Sequence, residues 1–391
     1  MKDTQMANTN TADVVIVGGG IIGCLTAYYL TRRGLKPIVI ESDAIASGAS
    51  GTSAGWLTPY SHTCDPAMIA LSPASLWLHA ELAATLPGIT GIDHGYREAP
   101  YIRCAISNDG VLELREFQAQ RAAEGVEMEW LSGEEALALS PWITADIVAG
   151  LRSDNEPTLD SYRLTMSAMQ AAEIGGARIV TGKVTGLIEP DESGATRTAF
   201  GVLLEDGSEV RGDTVVLAMG PWCGEAAAWL DHPVPVTPQR GQIVYLAPPD
   251  ERDGPELEIG MNIIEHGGSL IGKRLGDAIV AASRDSVGFD RSTTNEARNE
   301  LLINAARLSD RINNAQISGQ TACLRPISAD GRAYVGQVPG WSNAYLATGH
   351  SGEGIHYGPV TGAAIAELIA DGVTQYDIAP LSPARAGTTP V

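Results

Sequence analysis

Lysine is nearly missing from this chain, with four among 391 residues, and basic residues of either kind (26) are well outnumbered by acidic ones (47), leaving a formal net charge of −21. Such a surface repels nucleic acid and anionic membranes, so no nucleic-acid partner is expected. Long hydrophobic runs are also lacking. The stretch Val14–Leu30 is broken by glycines and tyrosines and falls short of the roughly 18–20 apolar residues a membrane span needs, so a soluble chain without a membrane span is expected. Cysteine is sparse: Cys24, Cys64, Cys104, Cys223 and Cys323 are odd in number and show no CxxC spacing, which argues for buried thiols and against a disulfide framework or metal site. Met1–Ala12 carry neither the basic flank nor the apolar stretch of a secretory signal, so a short disordered leader and a cytoplasmic location are expected. Repeats and low-complexity linkers are absent as well. The 44% of hydrophobic residues suffices for two cores, so two domains are expected.

What is present begins at the amino end. Asp13–Val17 reads as a buried parallel strand, Ile21–Arg33 as a helix stopped by Gly34, and Pro37–Ile40 as a second strand ending at Glu41. These pieces fit within 29 residues, the size of a βαβ unit. Between the first strand and the helix lies Gly18-x-Gly20-x-x-Gly23, followed 18 residues later by Glu41. In a dinucleotide fingerprint the first glycine makes the turn, the second admits a pyrophosphate, and the third lets helix and strand pack. The acidic residue accepts hydrogen bonds from ribose hydroxyls.

Further along, Ala67–Leu86, Glu113–Glu124 and Thr294–Leu308 read as helices. Ala177–Leu187 and Ala199–Val210 read as strands with a turn at Asp206-Gly207, and Asp213–Ala218 as a buried strand. Pro235–Val287 is expected to form an antiparallel sheet. A strand at Ala344–Thr348, a glycine-rich loop at Gly349–Gly354 and a helix from Pro359 to Ala370 closed by Gly372 complete the structured part, with a loose tail after it.

Several segments resemble the D-amino acid oxidase superfamily, which includes glycine oxidase and sarcosine oxidase. Ser47-Gly48-Ala49-Ser50-Gly51-Thr52-Ser53-Ala54-Gly55 is similar to its flavin-contacting segment. Ala218-Met219-Gly220-Pro221-Trp222 resembles its A-x-G-x-W turn beside the cofactor. Pro238-Gln239-Arg240-Gly241-Gln242 and Val287-Gly288-Phe289-Asp290 look like structural markers of its substrate domain. Cys323-Leu324-Arg325-Pro326-Ile327-Ser328-Ala329-Asp330-Gly331 is similar to its R-P-x-x-x-D-G segment. Gly349-His350-Ser351-Gly352-Glu353-Gly354-Ile355-His356 resembles the loop that aims a helix N-terminus at the flavin.

The resemblance implies an α/β fold: a Rossmann-type FAD-binding domain (13–85, 145–222 and 320–372) and an α+β substrate domain on an antiparallel sheet (86–144 and 223–319), with tails at 1–12 and 373–391. It implies FAD bound noncovalently, Cys323 being a lesser candidate for covalent attachment. Candidate cofactor contacts are Gly18, Gly20, Ile21, Ile22, Gly23, Glu41, Ser42, Ser47, Gly48, Ser50, Gly51, Ser53, Ala54, Gly55, Trp56, Leu57, Val184, Ala218, Gly220, Trp222, Gly352, Glu353, Gly354 and Ile355. Arg325 inherits the family's carboxylate clamp, since a guanidinium fork matches a carboxylate with two charge-assisted hydrogen bonds.

His356 stands where sarcosine oxidase has a carboxylate-contacting lysine. His350 and Lys273 are further catalytic candidates, Lys273 for reaction of reduced flavin with oxygen. The carboxylate-contacting tyrosine that glycine oxidase-like members place near the segment corresponding to Ser269–Arg274 is absent, and Lys273 with Arg274 could compensate.

The activity implied is oxidation of the C–N bond of a small α-amino acid or N-substituted amino acid by hydride transfer to flavin N5. The resulting imine hydrolyses, and O2 or a quinone or electron carrier reoxidises the flavin. Two other readings stand beside it: a flavin-bearing subunit of an opine or hydroxyproline dehydrogenase complex, and a degenerate fold kept for protein binding. A homo-oligomer is compatible with the first.

Overall fold

A computed structural model describes residues 11–387 except 59–64, 144–145, 155, 191–195, 248–256, 258 and 276. Residues 1–10 and 388–391, and Cys64 with them, lie outside the described residues. Two eight-stranded sheets organise the chain.

The first sheet contains β1 (Thr11–Val17), β2 (Pro37–Glu41), β6 (Arg178–Thr181), β7 (Val184–Leu187), β8 (Gly201–Leu204), β9 (Glu209–Leu217), β15 (Tyr334–Gln337) and β16 (Ala344–Thr348). The second contains β3 (Tyr101–Ala105), β4 (Glu129–Ser132), β5 (Ala149–Ser153), β10 (Val236–Leu246), β11 (Gly260–Ile263), β12 (Ser269–Ile271), β13 (Ala278–Ala281) and β14 (Ile317–Ser328). The helices are α1 (Ile21–Thr31), α2 (Pro66–Thr90), α3 (Asn108–Ala123), α4 (Gly133–Leu139), α5 (Ser161–Ile174), α6 (Ala227–Leu230), α7 (Asn295–Ala306) and α8 (Gly354–Asp371).

In the first sheet β16, β9, β1, β2 and β6 run parallel in that order. Parallel strands covered on both faces need continuous apolar runs, and β1 and β2 supply them. On one side α1, α2, α5 and α8 pack over Ile16 and Val39; on the other Val15 and Ile38 join β7, β8 and Trp341. The second sheet runs β14-β10-β13-β12-β11-β3-β5-β4, antiparallel except where β11 meets β3. Its β14 and β10 share a ladder from Val236↔Ser328 to Leu246↔Ile317, which fixes Arg325 opposite Gln239.

The α/β expectation and the first βαβ unit match the chain, and several boundaries differ for identifiable reasons. Thr11 and Ala12 are not leader but the first two residues of β1. The helix expected from Pro359 begins a turn earlier, at Gly354. Pro359 cannot donate to the carbonyl four residues back, but Ile355 O accepts from His79 Nε2 instead (3.0 Å), so the proline sits inside the helix without leaving that carbonyl bare.

Residues 374–387 are docked rather than loose: Ile378, Leu381 and Ala386 are buried, and Arg385 pairs with Asp330 at 2.6 Å over the Tyr334 ring. The strands β3 and β5 and the helix α5 went unread. β5, inside 145–222, and residues 320–328 of β14, inside 320–372, both belong to the second sheet rather than the first.

Helix α2 has the length and mean hydropathy (1.2 over its most apolar window) of a membrane span. No unbroken apolar run signals it, because Ser72, Ser75 and His79 interrupt the pattern. Those three side chains bond to α8, and α2 packs in the core beneath the first sheet.

Candidate functional site

A cavity of about 1080 Å³ opens where the carboxyl ends of the parallel strands face the second sheet. Open α/β sheets bind ligands at that edge. At its floor β1 ends in Gly18, whose φ of +113° disfavours any side chain and whose absent Cβ would lie 2.3 Å from Ala218 O. Gly23 presses against Gly18, where a Cβ would stand 2.0 Å from the Gly18 carbonyl. The turn is therefore folded directly onto α1, and Gly20 caps that helix without a side-chain partner. Ser50 Oγ accepts from Ile21 N–H at 2.9 Å, joining the 47–57 segment to the helix start.

Glu41, at the end of β2, accepts from Gly19 N–H at 2.8 Å and Asp43 N–H at 3.0 Å. Its carboxylate is thus oriented by main chain; Oε1 also accepts from Ser42 Oγ at 3.2 Å, and Oε2 retains acceptor capacity.

Gly18, Gly20, Ile21, Ile22, Glu41, Ser42, Ser47, Gly48, Ser50, Ser53, Ala54, Trp56, Val184, Ala218, Gly220, Trp222, Gly352, Glu353, Gly354 and Ile355 all line this cavity. Gly23, Gly51, Gly55 and Leu57 do not, and act by packing instead. A Cβ on Gly51 would meet Ala46 O at 2.1 Å; Gly55, at φ +59°, would meet Leu159 O at 2.1 Å; Leu57 is fully buried and donates to Pro157 O at 2.8 Å. The N-terminus of α8 opens onto the cavity through Gly352–Ile355, bringing the positive end of an 18-residue helix to it.

Arg325 reaches the same cavity from the second sheet. Its Nη1 donates to Ser283 O at 2.9 Å, and among the described residues it forms no ion pair. Burial pulls its pKa below the usual arginine value, the nearby Arg284 acting in the same sense and Cys323 and Asp285 opposing it. Gly241, two residues along the facing strand from Arg325's partner Gln239, makes the space: a Cβ there would fall 2.3 Å from Arg325 Nη2. The marker Pro238–Gln242 thus has a physical content that sequence reasoning left out. Its Arg240 is structural, held by Asp285 at 3.2 Å and Asp290 at 2.6 Å. Cys323 lines the cavity near Arg325 and is half-buried.

The other catalytic candidates fare differently. His356 is outside the cavity wall: it is buried between α8 and α2, with Nε2 2.9 Å from Ser72 Oγ. Its ring faces α2 rather than the cavity, about 100° round the helix from Ile355, which lines it. His350 does line the cavity, but its Nε2 engages Thr361 Oγ1 at 3.0 Å and burial lowers its pKa to about 4, leaving it neutral at neutral pH.

Lys273 is outside the wall too; its ammonium donates to Ala54 O and, at 2.8 Å, to Leu159 O. Arg274 pairs with Asp93. Neither replaces the absent tyrosine. Tyr101 brings its hydroxyl to Ser269 Oγ at 2.9 Å, yet stays behind Trp56, which stacks on it at 4.3 Å.

Sequence reasoning missed Arg103, whose guanidinium lines the cavity while bound to buried Glu156 at 2.7 and 3.2 Å. It also missed the apolar wall of Ile243 and Ile271. No local motif marks these residues; their cavity-facing side follows from the register of the sheet.

The cradle suits a dinucleotide: main-chain glycines where a side chain would collide, a helix start, and an oriented carboxylate at the second strand end. Comparison with known proteins agrees. Residues 13–368 match the family model for FAD dependent oxidoreductases. Glycine oxidase from Geobacillus kaustophilus is 29% identical over 381 residues, covering 96% of this chain and 98% of that protein. Glycine oxidase from Pseudomonas aeruginosa is also 29% identical, over 95% and 98%.

The crystal structure of the Geobacillus kaustophilus enzyme superposes with a TM-score of 0.86 at 26% identity, over 96% of this chain and 99% of that one. Iminodiacetate oxidase from Chelativorans sp. BNC1, at 22% identity and TM-score 0.84 over 95% and 98%, shares the fold. The chain belongs to the FAD-dependent oxidoreductase family, and FAD is its cofactor.

Proposed function

We propose that this enzyme oxidises the C–N bond of a small α-amino acid or N-substituted amino acid, with FAD held noncovalently in the cradle. One observation carries the reading: the half-buried guanidinium of Arg325, which has no carboxylate partner among the described residues, shares a cavity with the glycine turn and the start of α8. A buried cation lacking an ion-pair partner is costly unless a ligand supplies the anion. A substrate carboxylate fits that need with two parallel hydrogen bonds, fixing charge and orientation together. The relatives named glycine oxidase agree with a small amino acid as the oxidised molecule.

FAD, when bound, supplies the two-electron acceptor for the oxidised C–N bond. The protein's own part is placement and electrostatics. Arg325 sets the substrate's direction, and Ser283 O holds the guanidinium in place. Ile243, Ile271 and Trp56 present apolar side chains to the cavity, surroundings that favour a hydride transfer shielded from water. The start of α8 offers its positive end to the negative charge that builds on the cofactor side. Neutral His350 adds no competing charge.

Reoxidation by O2 or by another acceptor, a cytoplasmic setting, self-association and a division of the chain into a cofactor and a substrate domain belong to the same proposal. The test is an anaerobic titration of the purified holoenzyme with glycine, sarcosine, D-amino acids, proline analogues and opines, followed by air and a peroxide assay. Bleaching of the flavin by at least one amino acid is expected; no bleaching by any of them would count against the reading. Acid precipitation should release the flavin into the supernatant; flavin retained in the pellet would point to Cys323.

A further inference from the structure

The segment that faces the cofactor is not held by the first sheet alone. Residues 53–57 run beside 157–161: Leu57 N–H donates to Pro157 O at 2.8 Å, Leu159 N–H to Gly55 O at 2.9 Å, and Ser161 Oγ to Ser53 O at 3.1 Å. Two carbonyls of this ladder, Ala54 O and Leu159 O, converge on one side chain, the Lys273 ammonium, which reaches them from the end of β12 in the second sheet. Gly55 makes the approach possible, because a Cβ at its position would stand 3.0 Å from Lys273 Nζ. Gly272, the preceding residue, accepts from Thr158 Oγ1 at 3.3 Å, so the backbone before Lys273 is tied to the same ladder.

We propose that Lys273 is a positioning residue that pins the 53–57 segment, and through it the cofactor, to the substrate sheet. It acts through the main-chain carbonyls of Ala54 and Leu159 and is not among the residues that line the cavity. The proposal rests on the FAD reading and adds to it a means by which the substrate half of the molecule sets how firmly FAD is held. An ammonium shared between two carbonyls is a pair of charge-assisted hydrogen bonds, and removing it leaves both oxygens buried without that donor.

The pin is also sensitive to protonation. Burial lowers the Lys273 pKa to about 7; Arg97 pushes the same way and Asp160 opposes. Among the described residues around it Arg274 pairs with Asp93 and Arg163 with Asp160, while burial lowers the His94 pKa to about 4 and leaves it neutral near pH 7. Above that pH the amine can still donate but loses its charge, so the pin weakens as pH rises through neutrality.

The experiment measures release of FAD from holoenzyme, by recovery of flavin fluorescence on dilution, between pH 6 and 9. Wild type, Lys273→Met and Lys273→Arg are compared, and thermal unfolding is followed in parallel by circular dichroism. For Lys273→Met the FAD dissociation constant is expected to rise about tenfold or more. Wild type should release FAD faster as pH rises through about 7. Lys273→Arg, which keeps its charge throughout, should largely restore retention and flatten the pH dependence.

Equal FAD release by all three proteins at every pH would overturn the proposal. Should Lys273→Met fail to fold, the pH profiles of wild type and Lys273→Arg decide: a wild-type profile that is flat, or is copied by the arginine variant, overturns it. A wild-type protein that binds no FAD at all would instead sink the cofactor reading.

Discussion

The two ends of the cavity are built by different means. At the cofactor end the contacts are main chain: Gly18, Gly20, the start of α1 and the start of α8 present N–H groups and helix ends, and what matters in the sequence is where side chains are missing. At the substrate end the contacts are side chains projected by a sheet, with Arg325, Arg103, Ile243 and Ile271 arriving from four different strands. A backbone cradle tolerates change badly but specifies only a phosphate bridge and a ribose. A wall of side chains can change its substrate while leaving the fold intact. Family membership is therefore written in the cradle, and the choice of substrate in the wall.

Substitutions at both ends can break or sharpen this contrast. The largest effect is expected from Gly18→Val, which drives a branched side chain into Ala218 O at a φ of +113°. The purified variant should carry no flavin, read from its flavin-to-protein absorbance ratio, and a yellow variant would show that the turn is looser than its geometry. Across the cavity, Glu156→Leu removes the carboxylate that pairs with the buried Arg103 guanidinium; a loss of about 3–5 kcal/mol in denaturant unfolding is expected. An unchanged midpoint would mean that the pair is worth nothing to folding.

Next comes Arg325→Ala, which should raise the apparent KM roughly 100-fold while the flavin spectrum and FAD affinity stay unchanged. That separation is the sharpest form of the contrast, and a parallel loss of flavin would abolish it. Glu41→Ala at the cofactor end should do the reverse, weakening FAD about tenfold with little change in KM once FAD is saturating.

The smallest effect is on pH. Burial lowers the pKa of His79, His94 and His350 to about 4 and of His356 well below the ordinary value. The unfolded chain binds protons at these positions from about pH 6.5 downward and the folded chain does not. Their contribution to stability is therefore complete above pH 6.5 and is lost as pH falls towards 4. Melting temperature should drop over that interval, and less steeply in His94→Phe, which deletes a buried ring with neither nitrogen bonded. A slope identical in the two proteins would contradict the assignment.

Legibility in the sequence followed the same division. The βαβ unit could be read because its requirements are local: an apolar strand, spaced glycines, a helix and an acidic residue within one short window. Arg325 could be read because a family resemblance marks it, though the sequence did not show that Gly241 makes its room. What could not be read depends on pairing between distant strands. Arg103 meets Glu156 only because β3 and the chain beyond β5 lie side by side, and nothing near either residue signals it.

His356 and Lys273 were misplaced for a related reason. Proximity in sequence to a site-forming loop says nothing about which way a side chain leaves its helix or strand. His356 turns towards α2, and Lys273 turns under the 53–57 segment. The loose tail was misread because its buried apolar residues, Ile378, Leu381 and Ala386, are too few to set up a helical or strand period, and its other anchors, Arg385 on Asp330 and Glu367 on Thr374 and Gln375, are polar.

The central claim is that the main-chain cradle and the Arg325 guanidinium serve one bound pair, cofactor and amino acid, in a single cavity. A crystal structure of the holoenzyme with a non-oxidisable carboxylate analogue tests it most directly. The account predicts FAD across the Gly18–Gly23 turn and the analogue's carboxylate within hydrogen-bond distance of both terminal nitrogens of Arg325. A carboxylate bound elsewhere, with Arg325 still resting only on Ser283 O, would contradict it.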